Sequence, residues 1–461
     1  MRYFKHIIIV SLLAVSCQIE DENAPKPDEA FIKYFGELTS YEASDIEIVY
    51  DATGETAEGL VIFGTKITEE GDRDYFVLRV DLEGNFVDST SYGFVNQTGR
   101  DFTGDGLPDD FRGNEFSGQI EPIPGGGFIT VGTSSISENA LDISDFRILT
   151  LGILDAELNL ANDTLLALVS QPDNTDLDLE GNDVILLSDG SILIVGAKEF
   201  DRGGGISDFD NFFFKFNFTD GVIFDQTQGV AGDDENDVIV RAFEKPSGNI
   251  VMLGYSNTPS QLGENGGSNG TNAYYLETDP NGTPVNFAAY GLDDPSSNVI
   301  YNEVVTDAIK TTFGFSLSGT SSTSNDQDFA FVMNLSNSGV FLSANSHDSS
   351  VYNTDNNSLQ TVGNGIVQAS DNSLVLLGQY PNFSSNNLSR SGEGMFAKFD
   401  QSATPIAGAE TYFGLADGND EIVDAVTLPD GKIVAVSNVD FGGGVRLISI
   451  IKLNKDGSLD Q

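Results

Sequence analysis

The sequence predicts an all-β protein: a seven-bladed β-propeller of four-stranded antiparallel blades, closed by its N-terminal strand. Three observations predict it. A glycine-ended β phrase recurs seven times, ending at residues 64, 132, 196, 254, 319, 378 and 437 with Ser437 in place of the last glycine. Each copy continues into a second strand-like phrase that usually closes on a turn sequence. The final repeat stops one strand short, and residues 31–36 have the form of that strand. A repeat at spacings of 58 to 68 residues makes one repeat architecture, where length alone would suggest about three domains.

The clearest copies of the first phrase are SDGSILIVG (Ser188 to Gly196), PSGNIVMLG (Pro246 to Gly254), SDNSLVLLG (Ser370 to Gly378) and PDGKIVAVS (Pro429 to Ser437). Looser copies end at Gly64, Gly132 and Gly319. The second phrase runs DYFVLRVDLEG (Asp74 to Gly84), then NFFFKFNFTDG, AYYLETDPNG and, last, LISIIKLNKDG (Leu447 to Gly457). Alternating aromatic and β-branched residues mark strands, and the closing Asp-Gly or Asn-Gly marks a hairpin turn. A third strand ends on aromatic-Gly, as in STSYG and AETYFG, and a fourth precedes the next turn, as in DVIVRAF and EIVDAVTL. The stretch Phe31-Ile32-Lys33-Tyr34-Phe35-Gly36 matches Thr411-Tyr412-Phe413-Gly414 in form. A closed ring hides both sheet edges, which an open solenoid would leave exposed.

Composition narrows the chemistry. The 461 residues include 71 Asp+Glu against 22 Lys+Arg, a formal net charge of −49, with two His, one Cys and no Trp. Nucleic acid is therefore a poor partner. A Cys/His dyad or a multi-His zinc site lacks its residues. A Ser-His-Asp triad would rest on His347 alone, in the run SANSHDSS, which reads as a surface loop. Paired-carboxylate hydrolysis survives on composition.

Residues 1–16 carry Arg2 and Lys5, then a short apolar run from Ile7 to Val15, then Ala14-Val15-Ser16 before Cys17. The run is too short to span a bilayer. It resembles a bacterial lipoprotein signal peptide, with Ala14 where leucine is usual. The resemblance implies that Cys17 is lipidated, palmitate included, as the mature N-terminus. Losing Arg2 and Lys5 takes the net charge from −49 to −51. Residues 17–30 then read as an acidic flexible tether, similar to the export signal of Bacteroidota-type outer-membrane surface lipoproteins. Residues 31–461 are the propeller. The last repeat, LPDGKIVAVSNVDFGGGVRLISIIKLNKDGSLD, resembles the bacterial delta-60 propeller repeat. These resemblances imply a lipid-anchored outer-membrane protein exposed at the cell surface; they imply little about activity, because propellers host many roles.

All tight turns fall on one face, and the longer insertions gather on the other, where binding is usual. That loop face is acidic: Asp233, Asp234, Asp237, Glu303, Asp417, Asp420 and Glu421 stand just before inner strands. They either ring the channel mouth as binding groups or, as such residues more often do, cap strand starts through loop amides. The motif DFTGDGLPDDF places Asp101, Thr103, Asp105, the Leu107 carbonyl, Asp109 and Asp110 where their oxygens wrap one point. It resembles calcium loops of EF-hand and thrombospondin-type repeats, with Arg112 where the bidentate acid belongs, and implies a structural Ca2+. The expected function is a non-enzymatic binding or scaffold subunit of an outer-membrane transport or assembly complex. Its partners are the membrane through Cys17, a surface protein, and as a further candidate a glycan stacked on Tyr34, Tyr380 or Phe383. The alternative is a carboxylate-dependent polysaccharide hydrolase or lyase, or a glycan-binding lipoprotein.

Overall fold

The computed structural model describes residues 30–37, 39–68, 71–93, 114–124, 126–136, 146–168, 178–203, 206–217, 221–228, 236–257, 270–292, 301–323, 328–347, 361–382, 391–415, 418–455 and 457–459. Every regular element among them is a β-strand. The first, β1 (Phe31–Phe35), pairs with none of its sequence neighbours. The next eight are β2 (Tyr41–Tyr50), β3 (Ala57–Ile67), β4 (Arg73–Asp81), β5 (Phe86–Tyr92), β6 (Asn114–Pro122), β7 (Phe128–Ile136), β8 (Phe146–Leu154) and β9 (Leu160–Leu168). They make two antiparallel four-strand meanders, which a lone parallel pair, Arg73 with Asn114, joins into one sheet.

Four separate four-stranded meanders follow in sequence order. They are β10 (Leu179–Leu186) to β13 (Gly221–Gln228), with β11 (Ile192–Gly203) and β12 (Ile206–Asn217) between; β14 (Asp237–Glu244) to β17 (Pro284–Tyr290), with β15 (Ile250–Ser256) and β16 (Asn272–Thr278); β18 (Tyr301–Lys310) to β21 (Phe341–His347), with β19 (Gly314–Thr323) and β20 (Asp328–Ser336); and β22 (Val362–Gln368) to β25 (Pro405–Phe413), with β23 (Leu374–Asn382) and β24 (Ser391–Phe399). The last sheet has the order β1-β28-β27-β26, from β26 (Glu421–Thr427), β27 (Ile433–Asp440) and β28 (Arg446–Leu453). In it β1 runs antiparallel to β28, with Phe31 opposite Lys452 and Phe35 opposite Ile448.

The first strands of the groups, β2, β6, β10, β14, β18, β22 and β26, pack side by side in that order, and β26 also packs on β2. The apolar core is divided accordingly into clusters between successive sheets. Val251, Tyr275 and Met333 share one across β15, β16 and β20; Ile46, Leu60, Val434 and Ile450 share another across the first and last sheets. Fully buried aromatic residues such as Phe213, Phe315 and Phe399 each contribute about 2–3 kcal/mol of transfer free energy.

Every one of these inner strands carries a β-bulge at the same place, skipping Ser44, Gly118, Asn182, Val240, Thr306, Asn364 and Val423 in turn. The residue just before each bulge pairs with the last residue of the repeated phrase: Gly181 with Gly196, Ile239 with Gly254, Ile422 with Ser437. The repeat's glycine is therefore a close-approach residue. A Cβ on Gly254 would lie 1.8 Å from the Val238 carbonyl oxygen, and one on Gly196 would lie 1.9 Å from that of Glu180. Gly254→Ala should cost about 3 kcal/mol through this overpacking, read as a lowered urea midpoint at unchanged m-value. An unchanged midpoint would show that the inner strand can give way.

The tight turns use a finer geometry than a two-residue hairpin. Asp279 Oδ1 accepts the Asn281 and Thr283 amides at 2.8 and 2.9 Å, and Gly282 donates to the Asp279 carbonyl at 3.0 Å with φ +82°. The outer strand then begins with a bulge opposite Glu277 and Thr278. The amide donors hold the Asp279 and Asp155 carboxyls below the usual range.

Candidate functional site

The bulge turns the residue after it toward the common axis. Those residues are Asp45, Gln119, Asp183, Arg241, Asp307, Gly365 and Asp424. They form a belt around one guanidinium. Arg241 Nε donates to Asp307 Oδ1 at 2.6 Å, and its Nη atoms lie 3.8 Å from Asp183, 3.8 Å from Asp424 and 3.9 Å from Asp45. Arg241 Nη1 also donates to Gln119 Oε1. Gly365 leaves room, since a Cβ there would sit 2.8 Å from the Val423 carbonyl oxygen.

The aspartates also stitch sheet to sheet. Asp45 Oδ2 accepts the Ile120 amide at 2.8 Å, Asp183 Oδ2 that of Ala242 at 2.7 Å, and Asp307 Oδ2 that of Ile366 at 2.9 Å. Asp424 Oδ2 accepts the Ile46 amide at 3.3 Å, tying the last sheet to the first. Asp45, Asp183 and Asp307 thus face Arg241 through one oxygen and a neighbouring backbone through the other, while Asp424 turns Oδ2 to both.

Four acids around one cation are not fully balanced, and the carboxyls of Asp45, Asp183 and Asp307 are shifted upward. Burial raises Asp307 to about 6 against the opposing pull of Arg241. Burial, then the Asp424 carboxylate, pushes Asp45 well up, and burial raises Asp183. Burial works against the Arg241 charge, but Asp307, Asp424, Asp183 and Asp45 outweigh it and hold the guanidinium firmly protonated. Just beyond the belt, toward the tight turns, burial lifts Glu47 to about 8 and Glu121 to about 7, each with a neighbouring carboxylate adding to the shift.

The belt divides the axis. On the loop side is a cavity of about 510 Å³ bordered by Phe116, Asn182, Val240, Tyr255 and Val304. On the turn side is one of about 370 Å³ bordered by Glu47, Glu121, Phe243 and Lys310. Among the described residues no three His, Cys, Asp or Glu groups converge as metal ligands; the centre of the belt belongs to the guanidinium.

The residues singled out from sequence fall elsewhere. Asp237, Glu303 and Asp420 are buried at the loop-side ends of inner strands. Asp420 accepts the Asp440 amide at 2.7 Å and the Leu415 amide, and Glu303 accepts Ser321 Oγ at 3.1 Å. Glu421 accepts Asn438 Nδ2 at 3.2 Å and lies 3.5 Å from Arg446. Asp233, Asp234, Asp417, the calcium-loop residues Asp101, Thr103, Asp105, Leu107, Asp109 and Asp110, and the lipidation residue Cys17 lie outside the described residues, as does Phe383.

His347 differs from its expected place. It is the last residue of β21 and buried, packed edge-on to Phe399, with Nε2 3.7 Å from Glu410 Oε1. Small polar residues in SANSH are compatible with an outer strand, and composition alone had suggested a loop. Tyr412 donates to the other Glu410 oxygen at 2.8 Å. Tyr380 is buried against Tyr412, whereas Tyr34 is exposed and edge-on to Phe441 at 5.5 Å.

The belt itself escaped the sequence reading. Its signal was present: aligned on the repeat, Asp45, Asp183, Asp307 and Asp424 occupy one strand position, each followed by an aliphatic or alanine. A charge recurring inside an apolar strand needs a partner, and Arg241 holds the same position in another copy.

A family model described as a domain of unknown function (DUF5122) beta-propeller matches residues 428–461. No curated protein matches the chain. Among solved structures, a protein of unknown function from Dyadobacter fermentans is 13% identical with a TM-score of 0.44, covering 74% of this chain and 94% of its own. A PL25 ulvan lyase is 10% identical with a TM-score of 0.47, covering 93% and 98%. Drosophila Plexin A in complex with Semaphorin 1b is 10% identical with a TM-score of 0.44, covering 93% and 87%. What those proteins bind or cleave is a matter of their own side chains. Four-stranded meanders whose first strands share one axis, ending in a segment that matches a propeller model, make this fold a β-propeller.

Proposed function

We propose that the chain is a seven-bladed propeller closed by its N-terminal strand, anchored to the outer membrane through a lipid on Cys17, and that it works as a binding subunit whose loop face meets a surface protein. The seven bulged inner strands and the β1–β28 pairing support the ring. The observation that carries the binding reading is the belt. Its converging carboxylates are committed to Arg241 and to backbone amides, which leaves them as a rigid floor. A carboxylate-dependent hydrolase needs one free acid and one free base or nucleophile facing a cleft.

The entry of the chain supports an outward loop face. Phe31 lies against the tight turn at Gly84, and Lys33 Nζ donates to the Glu83 carbonyl at 2.7 Å. A tether that precedes Phe31 would leave from the turn face, opposite the loop-side cavity.

The test is affinity capture of the tagged full chain from native membranes, followed by mass spectrometry. A stoichiometric outer-membrane partner is expected, with Cys17→Ser releasing the protein from the membrane fraction. Recovery of the chain alone would overturn the reading.

A further inference from the structure

We propose that the loop-side axial cavity binds a neutral glycosyl unit, one or two sugar rings deep. This rests on the loop face being the binding face and names the ligand class of its central pocket. The volume of about 510 Å³ lies within the range of roughly 300–1,000 Å³ that small-ligand sites occupy, and the belt supplies a closed floor.

The wall has an apolar side and a hydrogen-bonding side. Phe116 and Val304 are large apolar residues on inner strands, yet 41% and 38% exposed, and both border the cavity. The Arg73 guanidinium lies 5.2 Å from the centre of the Phe116 ring and holds that ring in place. Tyr255 and Val240 extend the surface. A ring presented this way suits the flat C–H face of a sugar.

The polar groups are committed in a way that selects hydroxyls. Asn182 Nδ2 donates to the Ile239 carbonyl at 2.8 Å, and Thr306 Oγ1 donates to that of Gly363 at 2.9 Å. The Thr306 proton is spent, so its hydroxyl offers lone pairs, while Asn182 keeps its amide oxygen as an acceptor and a second amide hydrogen as a donor. Gln119 is the reverse: its oxygen accepts from Arg241, which leaves the amide nitrogen as a donor. A ligand that both donates and accepts through hydroxyls meets this set.

Charge selects against ions. Arg147 is paired with Glu180 and lies 3.8 Å from Asp178, and Arg241 is held by the belt. Among the described residues that border the cavity an anionic sugar finds no unspent cation, in a chain of net charge −49. A cationic ligand finds the bordering carboxylate of Glu180 already engaged.

The experiment uses the full chain on an array of neutral and anionic oligosaccharides, followed by titration with the best neutral binder. Because the chain has no Trp, Phe116→Trp places a sole indole at the cavity. It should keep binding and shift its emission on saturation. Phe116→Ala and Val304→Asp should each weaken binding at least tenfold at a melting temperature within a few degrees of wild type. Binding confined to uronic or sulfated sugars, binding of peptides but no glycans, a blank array, or a Phe116→Ala variant that binds normally would each overturn the proposal. The failures separate: a blank array with the membrane partner still captured removes the sugar site and leaves the binding-subunit reading. Sugar binding without a captured partner does the opposite.

Discussion

Arg241→Met should lower stability by about 3–5 kcal/mol near neutral pH, the cost of removing one partner from a buried ionic network. Methionine keeps the apolar stem and lacks the guanidinium, so the loss reports the charge together with its hydrogen bonds to Asp307 and Gln119. Asp45, Asp183, Asp307 and Asp424 would remain, tied to the amides of neighbouring sheets, with nothing to offset their mutual repulsion. Their remedy is protonation, so the deficit should depend on pH. In the wild type, Asp307 holds its proton to about 6, Glu121 to about 7 and Glu47 to about 8. An unfolded chain releases such protons near the ordinary carboxylate values of 3.8 and 4.5. Between those limits the folded state binds more protons than the unfolded one, so stability falls as pH rises. Wild type should therefore melt several degrees lower at pH 8 than at pH 5. Arg241→Met should fall more steeply, with the gap between the two proteins narrowest at pH 5. Arg241→Lys, which keeps the charge and loses the planar fork, should lie between them. A gap that stays constant with pH would mean that Arg241 acts by packing rather than by charge.

The contrast between what the sequence revealed and what it hid follows from the range of the interactions. Strand and turn signals are local: the aromatic and apolar runs along β16 and β20 and the glycines at 84, 282 and 457 are readable within ten residues of chain. The repeat glycine was readable as a marker, although its cause, a carbonyl under 2 Å from where a Cβ would sit at Gly254, needs the paired strand. The belt is different in kind. Asp424 meets the Ile46 amide across 378 residues, and convergence on an axis depends on how many sheets surround it and how each bulge turns. No window of sequence contains that. Loop-side carboxylates such as Asp420 were readable as acids before a strand, but the amides they accept belong to Leu415 and Asp440, which only the folded loops bring together.

Removing β1 should be as damaging as removing Arg241, and restoring it at the other end of the chain should repair the loss. The register gives the joint. In β20 and β21, Leu335 pairs with Phe341 and Asn334 with Ser343, across a turn in which Ser336 donates to the Val340 carbonyl. The turn after β28 repeats this bond between Asn454 and Ser458, so Lys452 corresponds to Asn334. Its partner in a continuous chain would be residue 461, yet its partner is Phe31. Phe31 thus stands where the outer strand of the last sheet would begin. A chain starting at residue 37 loses the five-residue ladder and the buried Phe31, about 3–5 kcal/mol for the aromatic alone, and bares the β28 edge from Ile448 to Lys452 to self-association. It should melt well below wild type and elute as aggregate. A permuted chain, residues 37–460 followed directly by 31–36, keeps every pair of the ladder and opens only the link before β2. It should elute as wild type does and melt within a few degrees of it. A permutant no better than the truncation would mean that β1 is an accessory edge and the ring is closed by something else.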